Sequence, residues 1–205
     1  MVITYYGITC FKIEAHGVSL AINPFSKTPG LSAPRFEAAI ILATNNSYQN
    51  ASLPGNPYII CGPGEYDIAS ATIRSIKLHP NNTAYIIEWD ELRLMHLGEF
   101  NDGGEKNLDT ALKDVVDAID ILFLPIGGTL SPKNAVGVMN ALDPAITIPM
   151  QFAIKGYEKK LGKLKEFFNV TGGDMHREAK LSIKKRDLLQ ERQGVVVLKP
   201  PYDIL

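Results

Sequence analysis

From Ala38 to Ala43 the chain reads Ala-Ala-Ile-Ile-Leu-Ala, an unbroken apolar run. It turns polar at once in Thr44-Asn45-Asn46-Ser47-Tyr48-Gln49-Asn50. An alternating strand buries one face, whereas a strand with no polar position is covered on both. A sheet containing such a strand needs a layer on each side. Other segments repeat the strand signal. Val2 to Tyr6, Cys10 to Glu14 and Ser19 to Ile22 are short and apolar, divided by Gly7 and by His16-Gly17. Tyr58 to Cys61 is a further run, and Ala84 to Trp89 with Leu92 to Leu97 reads as a hairpin closed at Asp90-Glu91. Pro24 to Pro34 is a loop rich in Pro, Ser and Lys, and Gly62-Pro63-Gly64-Glu65 reads as a turn.

The second half alternates. Leu108, Leu112, Val115 and Ile119 fall on one face of a helix spanning Asn107 to Ile119. Ile121 to Pro125 is a strand, Ser131-Pro132 starts a helix, Ala145 to Pro149 is a strand, and Tyr157 to Phe168 has the spacing of an amphipathic helix. Leu181 to Lys184 and Val195 to Leu198 are closing strands. Strands first and strand–helix alternation afterwards describe an α/β protein of two packed sheets with helices outside. No linker or low-complexity stretch divides residues 1–205, which are read as one domain.

The balance of 21 basic and 22 acidic residues demands no polyanionic partner. Lys155, Lys159, Lys160, Lys163 and Lys165 read as a solvated helix face, with Lys184-Lys185-Arg186 a second basic cluster. No apolar run approaches a membrane span and no basic, apolar leader opens the chain, so a cytoplasmic protein is expected. Cys10 and Cys61 have no paired-motif spacing and are read as buried thiols. His96 is read as a structural histidine at a strand end, and His16 and His176 as exposed loop residues.

Six phrases, in order, resemble the UlaG-like metal-dependent hydrolases of the metallo-β-lactamase superfamily. Tyr6-Gly7-Ile8-Thr9-Cys10-Phe11 is similar to that family's GHSCF turn, and Asn23-Pro24-Phe25 to its Asp-Pro-Phe. Gly62-Pro63-Gly64-Glu65-Tyr66 matches GPGEY, His96-Leu97-Gly98-Glu99 resembles HLGD, Leu124-Pro125-Ile126-Gly127-Gly128 resembles LPIGG, and Ile148-Pro149-Met150-Gln151-Phe152 resembles IPMHY. The fold this implies is the αββα four-layer sandwich of the metallo-β-lactamases, its site at one edge between the sheets.

The same resemblance locates the differences. The family motif H-x-H-x-D-H falls on Asn45, Ser47, Gln49 and Asn50. Gln151 stands at a further histidine, Glu99 at the bridging aspartate, Asn23 at the aspartate before proline, and Ile8 at the histidine of GHSCF. His79 alone falls at a histidine ligand position. The residual pocket is thus Asn23, Asn45, Ser47, Gln49, Asn50, His79, Glu99 and Gln151. Zinc is held by thiolate, imidazole or carboxylate, so the zinc expected in the family has lost its ligands here, and no metal ligand, cofactor or catalytic residue is assigned. The reading is a pseudo-hydrolase acting by binding, to a protein partner or to itself. Two alternatives stand beside it: a hydrolase with a mononuclear site around His79 and Glu99, and a nucleic-acid-associated protein using the basic C-terminal third, which has little aromatic interleaving to support it.

Overall fold

The computed structural model describes residues 1–50, 53–101, 118–128, 130–173, 175–189 and 194–201. Two mixed sheets form. The first has six strands: β1 (Val2–Gly7), β2 (Cys10–Ala15), β3 (Val18–Ile22), β4 (Ile40–Ala43), β5 (Tyr58–Cys61) and β13 (Leu181–Ser182), in the order β13-β1-β2-β3-β4-β5. The second has eight: β6 (Gly64–Ile68), β7 (Ala71–His79), β8 (Asn82–Trp89), β9 (Leu92–His96), β10 (Ile121–Pro125), β11 (Ile146–Met150), β12 (His176–Glu178) and β14 (Gly194–Leu198), in the order β12-β14-β11-β10-β9-β8-β7-β6.

Side-chain period explains the layering. In β3 and β4, Leu20, Ile22, Ile40 and Leu42 face the central core. Ala21 and Ile41 face away and form a second cluster with Ala38 and Leu53. Strand β4 is therefore covered on both faces, as its apolar run requires. Strands β10 and β11 are buried throughout and pair in parallel. The sheets meet through aromatic rings: Phe11 of β2 lies 4.5 Å from Phe123 of β10 between centroids, and Tyr5 lies 4.9 Å from Phe11. Each such side chain contributes about 1.5–3 kcal/mol by leaving water.

Helix α1 (Pro132–Leu142) starts as expected, with Pro132 in the first turn and the Ser131 side chain accepting from the Asn134 amide. It packs against β10 and against α2 (Leu164–Thr171) on the eight-stranded sheet. Helix α2 begins seven residues later than Tyr157. Ala153 donates to the Gly162 carbonyl and Gly162 to the Gly127 carbonyl, and those bonds hold residues 153–162 as a loop. Residues 107–117 of the other expected helix lie outside the described residues, and residues 118–119 are not helical. The Asp90-Glu91 hairpin turn is present, with φ of 54° and 64°, the signature of a type I′ turn. Gly64 and Glu65, read as part of a turn, instead open β6. His176, read as a loop residue, opens the exposed strand β12. No helix among the described residues is long and apolar enough to cross a membrane.

The loop after β3 is pinned to the loop before α2 where Gly30 meets Gly156. Gly30 has φ of 81°, and a Cβ on it would overlap the Gly156 carbonyl. Gly17, at φ 75°, has open space instead. Gly30→Ala is expected to cost about 2 kcal/mol or more in urea unfolding, and Gly17→Ala about 1 kcal/mol. Equal costs would show that the contact between the loops contributes nothing.

Candidate functional site

Of the eight buried polar residues described, six gather at one edge of the sandwich: Thr9, Asn23, Thr44, Asn82, Thr83 and His96. They stand at or just beyond strand ends. Thr9 is in the β1–β2 turn, Asn23 follows β3, Thr44 follows β4, and Glu99 follows β9. Loops at the carboxyl ends of parallel strands commonly form such crevices.

The hydrogen bonds form a directed chain. The Asn23 amide donates to Thr9 Oγ1 (3.0 Å) and to Thr44 Oγ1 (2.9 Å), and Asn23 Oδ1 accepts from the Thr44 amide (2.8 Å). Thr9 Oγ1 donates to the Tyr48 hydroxyl (3.3 Å), which donates to Glu99 Oε1 (2.8 Å). Asn45 Nδ2 reaches Glu99 Oε2 at 3.3 Å. A hydrogen bond to a carboxylate is roughly twice as strong as a neutral one, and each donor polarises the next. Burial, with the Glu99 charge adding to it, holds the Tyr48 phenol far above the usual range, so Tyr48 remains a donor. Burial raises the half-buried Tyr157 phenol as well, and the same Glu99 charge adds to the effect.

Two further contacts aim the carboxylate. The Glu99 amide donates to Asn82 Oδ1 (2.9 Å) while Asn82 Nδ2 donates to the Leu97 carbonyl (2.9 Å). Gly98, at φ 64°, is required between them, because a Cβ there would overlap Asn82 Oδ1. His96 is fully buried, edge-on to Phe11. Its Nε2 lies 3.1 Å from the Thr9 carbonyl and its Nδ1 accepts from the Gly98 amide at 3.1 Å. Those partners assign the neutral tautomer with the proton on Nε2. Burial lowers its pKa to about 3, against which the hydrogen bond to Thr9 acts weakly.

A cavity of about 320 Å³ opens beside this network. Its wall includes Asn45, Ser47, Cys61, Lys77, Asn81 and Glu99. Asn45 also caps a short 3₁₀ turn by accepting from the Ser47 amide (2.9 Å). Gln49 turns its amide to Cys61 Sγ and to Asn46 Oδ1 (3.0 Å). Cys61 is therefore half-buried at the cavity wall, unlike the fully buried Cys10. Gln151 is at the same edge: its amide donates to the Ile8 carbonyl at 2.6 Å, beside Thr9, and its side chain packs over Gly128. Asn50 is exposed.

His79 differs from the expectation. It is exposed, with Nδ1 accepting from the Asn81 amide (3.4 Å), and is not part of the cavity wall. The pairing of β7 with β8 shifts register between Lys77 and His79, and His79 ends the strand on its exposed side. Tyr48, Thr9, Asn82 and Tyr157 were not singled out from sequence. Tyr48 stands at an unspecified position of the motif, and only its burial beside polar neighbours marks it.

The set of side chains does not fit zinc. It offers amides, hydroxyls, the Cys61 thiol, whose sulfur already accepts from the Gln49 amide, and one carboxylate that is already accepting two hydrogen bonds. Among the described residues no three His, Cys, Asp or Glu side chains gather where they would hold a metal ion.

The family model described as "Beta-lactamase superfamily domain" matches residues 2–151. A UPF0173 protein from Pyrococcus abyssi (strain GE5 / Orsay) is 27% identical over 189 residues, covering 76% of this chain and 85% of the relative. A Thermotoga maritima structure, described as a candidate Zn-dependent hydrolase of the metallo-β-lactamase superfamily, superposes with a TM-score of 0.80 at 24% identity. That match covers 97% of this chain and all of the other. Igni18, a metallo hydrolase from Ignicoccus hospitalis, gives a TM-score of 0.66 at 18% identity, covering 97% and 95% of the two chains. These structural likenesses establish the metallo-β-lactamase fold.

Two measurements probe the network. Tyr48→Phe leaves Glu99 short of a donor and is expected to cost about 1–3 kcal/mol of stability; a change under about 0.5 kcal/mol would show the bond to be incidental. For His96 the folded pKa lies below the unfolded value of 6.5, so between about pH 6.5 and 3 the unfolded chain takes up a proton that the folded chain does not. Stability falls as pH drops through that window, by up to about 4–5 kcal/mol, and is unaffected by His96 above it. In NMR the His96 ring should not titrate between pH 8 and 5. A His96 midpoint near 6 would refute the buried neutral assignment.

Proposed function

This chain belongs to the beta-lactamase superfamily domain family, matched over residues 2–151, and we propose that within it the protein acts by binding through its polar pocket rather than by zinc-dependent hydrolysis. The observation that carries this reading is the state of Glu99. This single carboxylate is engaged by the Tyr48 hydroxyl and the Asn45 amide. A metal at this carboxylate would compete with both donors for its charge, and among the described residues no group of three His, Cys, Asp or Glu side chains gathers to complete a ligand set. Two zinc ions would also bring four positive charges against Glu99, the one acidic side chain on the cavity wall among the described residues. Hydrolysis in such folds draws its nucleophile from water whose pKa a metal lowers toward ~7, and the donors at Asn45, Ser47, Gln49, Asn50 and Gln151 are neutral amides and a hydroxyl. The mononuclear alternative has no geometric support among the described residues, since His79 faces solvent and its Nδ1 accepts from the Asn81 amide. The two free thiols, Cys10 and Cys61, accord with a cytoplasmic setting.

Elemental analysis of protein purified without chelator tests the proposal. Well below one equivalent of zinc per chain is expected, with no change in Tm on chelation; stoichiometric zinc would overturn the reading. The combined variant Asn45→His, Ser47→His, Gln49→Asp, Asn50→His, Glu99→Asp and Gln151→His is expected to gain zinc affinity and to lose stability when the metal is stripped.

A further inference from the structure

The loop of residues 153–163 is more rigid than a surface loop need be. Its two ends are joined by the bond from Ala153 to Gly162 (2.9 Å), and Tyr157 donates to the Ile154 carbonyl (3.3 Å). Phe152, Ile154 and Leu164 anchor it in the core. Its outer surface is basic. Lys155, Lys159, Lys160 and Lys163 are exposed, as is Lys165 in the first turn of α2. Between residues 153 and 165 these five lysines meet one acid, Glu158. The loop of residues 24–34, packed against it at Gly30 and Gly156, adds the exposed Lys27 and carries no acid.

None of these six lysines takes part in an ion pair among the described residues, whereas Lys12 pairs with Glu14 and Lys185 with Asp120. The whole chain has a net charge of -1, so this basic surface is a local excess. Like charges on two adjoining, tethered loops repel one another, and a polyanion relieves that repulsion.

We infer that the lysines of these two loops bind the phosphate backbone of a nucleic acid. The choice among polyanions rests on what the surface lacks. A protein interface centres on buried apolar or aromatic side chains, and membrane association needs apolar side chains to insert. The large exposed hydrophobics of the described residues are Tyr58, Ile59 and Val170, and none lies on either loop. Phosphates require charge alone. Lysine binds them as a point charge without the two-pronged geometry of arginine, so binding is not base-specific. The surface uses outward-facing side chains and is independent of whether the pocket holds metal.

Fluorescence anisotropy of the full chain with a labelled single-stranded RNA of about 20 nucleotides, and with DNA of the same sequence, tests the inference across 50 to 300 mM NaCl. Binding should weaken linearly on logarithmic axes, with a slope near −0.7 per phosphate contacted. Lys155→Glu, Lys159→Glu and Lys160→Glu together should weaken binding at least about tenfold at the lowest salt and flatten the slope. Lys184→Glu, in the other basic cluster, should leave binding unchanged. If the triple variant does not fold, Lys159→Gln alone should weaken binding about twofold to threefold. The inference is overturned by absence of binding at 50 mM NaCl, by full binding in the folded triple variant, or by tighter binding of polyglutamate or anionic vesicles than of RNA.

Discussion

The bond from the Tyr48 hydroxyl to Glu99 is where the local structure of this protein converges. An anionic side chain at the edge of a two-sheet core must be solvated by something. Here the solvation comes from the chain: Asn23 holds Thr9, Thr9 holds Tyr48, and Tyr48 with Asn45 holds the carboxylate. Each member comes from a different strand end, so the network ties β3, the β1–β2 turn, the segment after β4 and the segment after β9 into one unit. His96 supports it from beneath. Its ring, kept neutral by burial, joins the Thr9 carbonyl to the Gly98 amide. The edge therefore has the character of a polar core rather than of an open set of ligands waiting for a cation.

Much of the frame was legible in the sequence because it rests on periodicity. The apolar runs of β4, β10 and β11 require cover on both faces, and the sheets supply it. Where one face is wet the signal weakens: β6 and the first part of β7 alternate with Glu65, Asp67 and Arg74 on the exposed side; Gly64 and Glu65 read as a turn, and neither strand was assigned from the sequence. The helix expected from Tyr157 had the right spacing, but backbone bonds to Gly162 outweigh amphipathic pattern there. In the pocket, Asn45 and Glu99 were found by their place in family phrases. His79 was assigned by its place in a family phrase and lies exposed at the end of β7, and Tyr48 was missed because its role depends on two partners distant in sequence, Thr9 and Glu99.

The two faces of the site have opposite electrostatic character. Inside, the Glu99 carboxylate is solvated by the Tyr48 hydroxyl and the Asn45 amide and makes no ion pair among the described residues. Outside, lysines crowd two loops held together at Gly30 and Gly156. Tyr157 has its backbone in the basic loop, and its phenol is raised by burial, with the Glu99 charge adding to it.

Ile8, Asn23 and Gln151 share a left-handed backbone, with φ of 55°, 47° and 55°. Asparagine tolerates this conformation; a β-branched isoleucine does not adopt it without strain. The Ile8 carbonyl is held by the Tyr5 hydroxyl and the Gln151 amide, and the Asn23 amide by the Leu42 carbonyl, so the surrounding sheets impose the geometry whatever side chain is attached. The direction of three side-chain bonds at this edge is thus a property of the scaffold and not of its residues. Chemistry can be exchanged at such positions as a lens is exchanged in a fixed mount: the aim is set beforehand, and only the functional group is new.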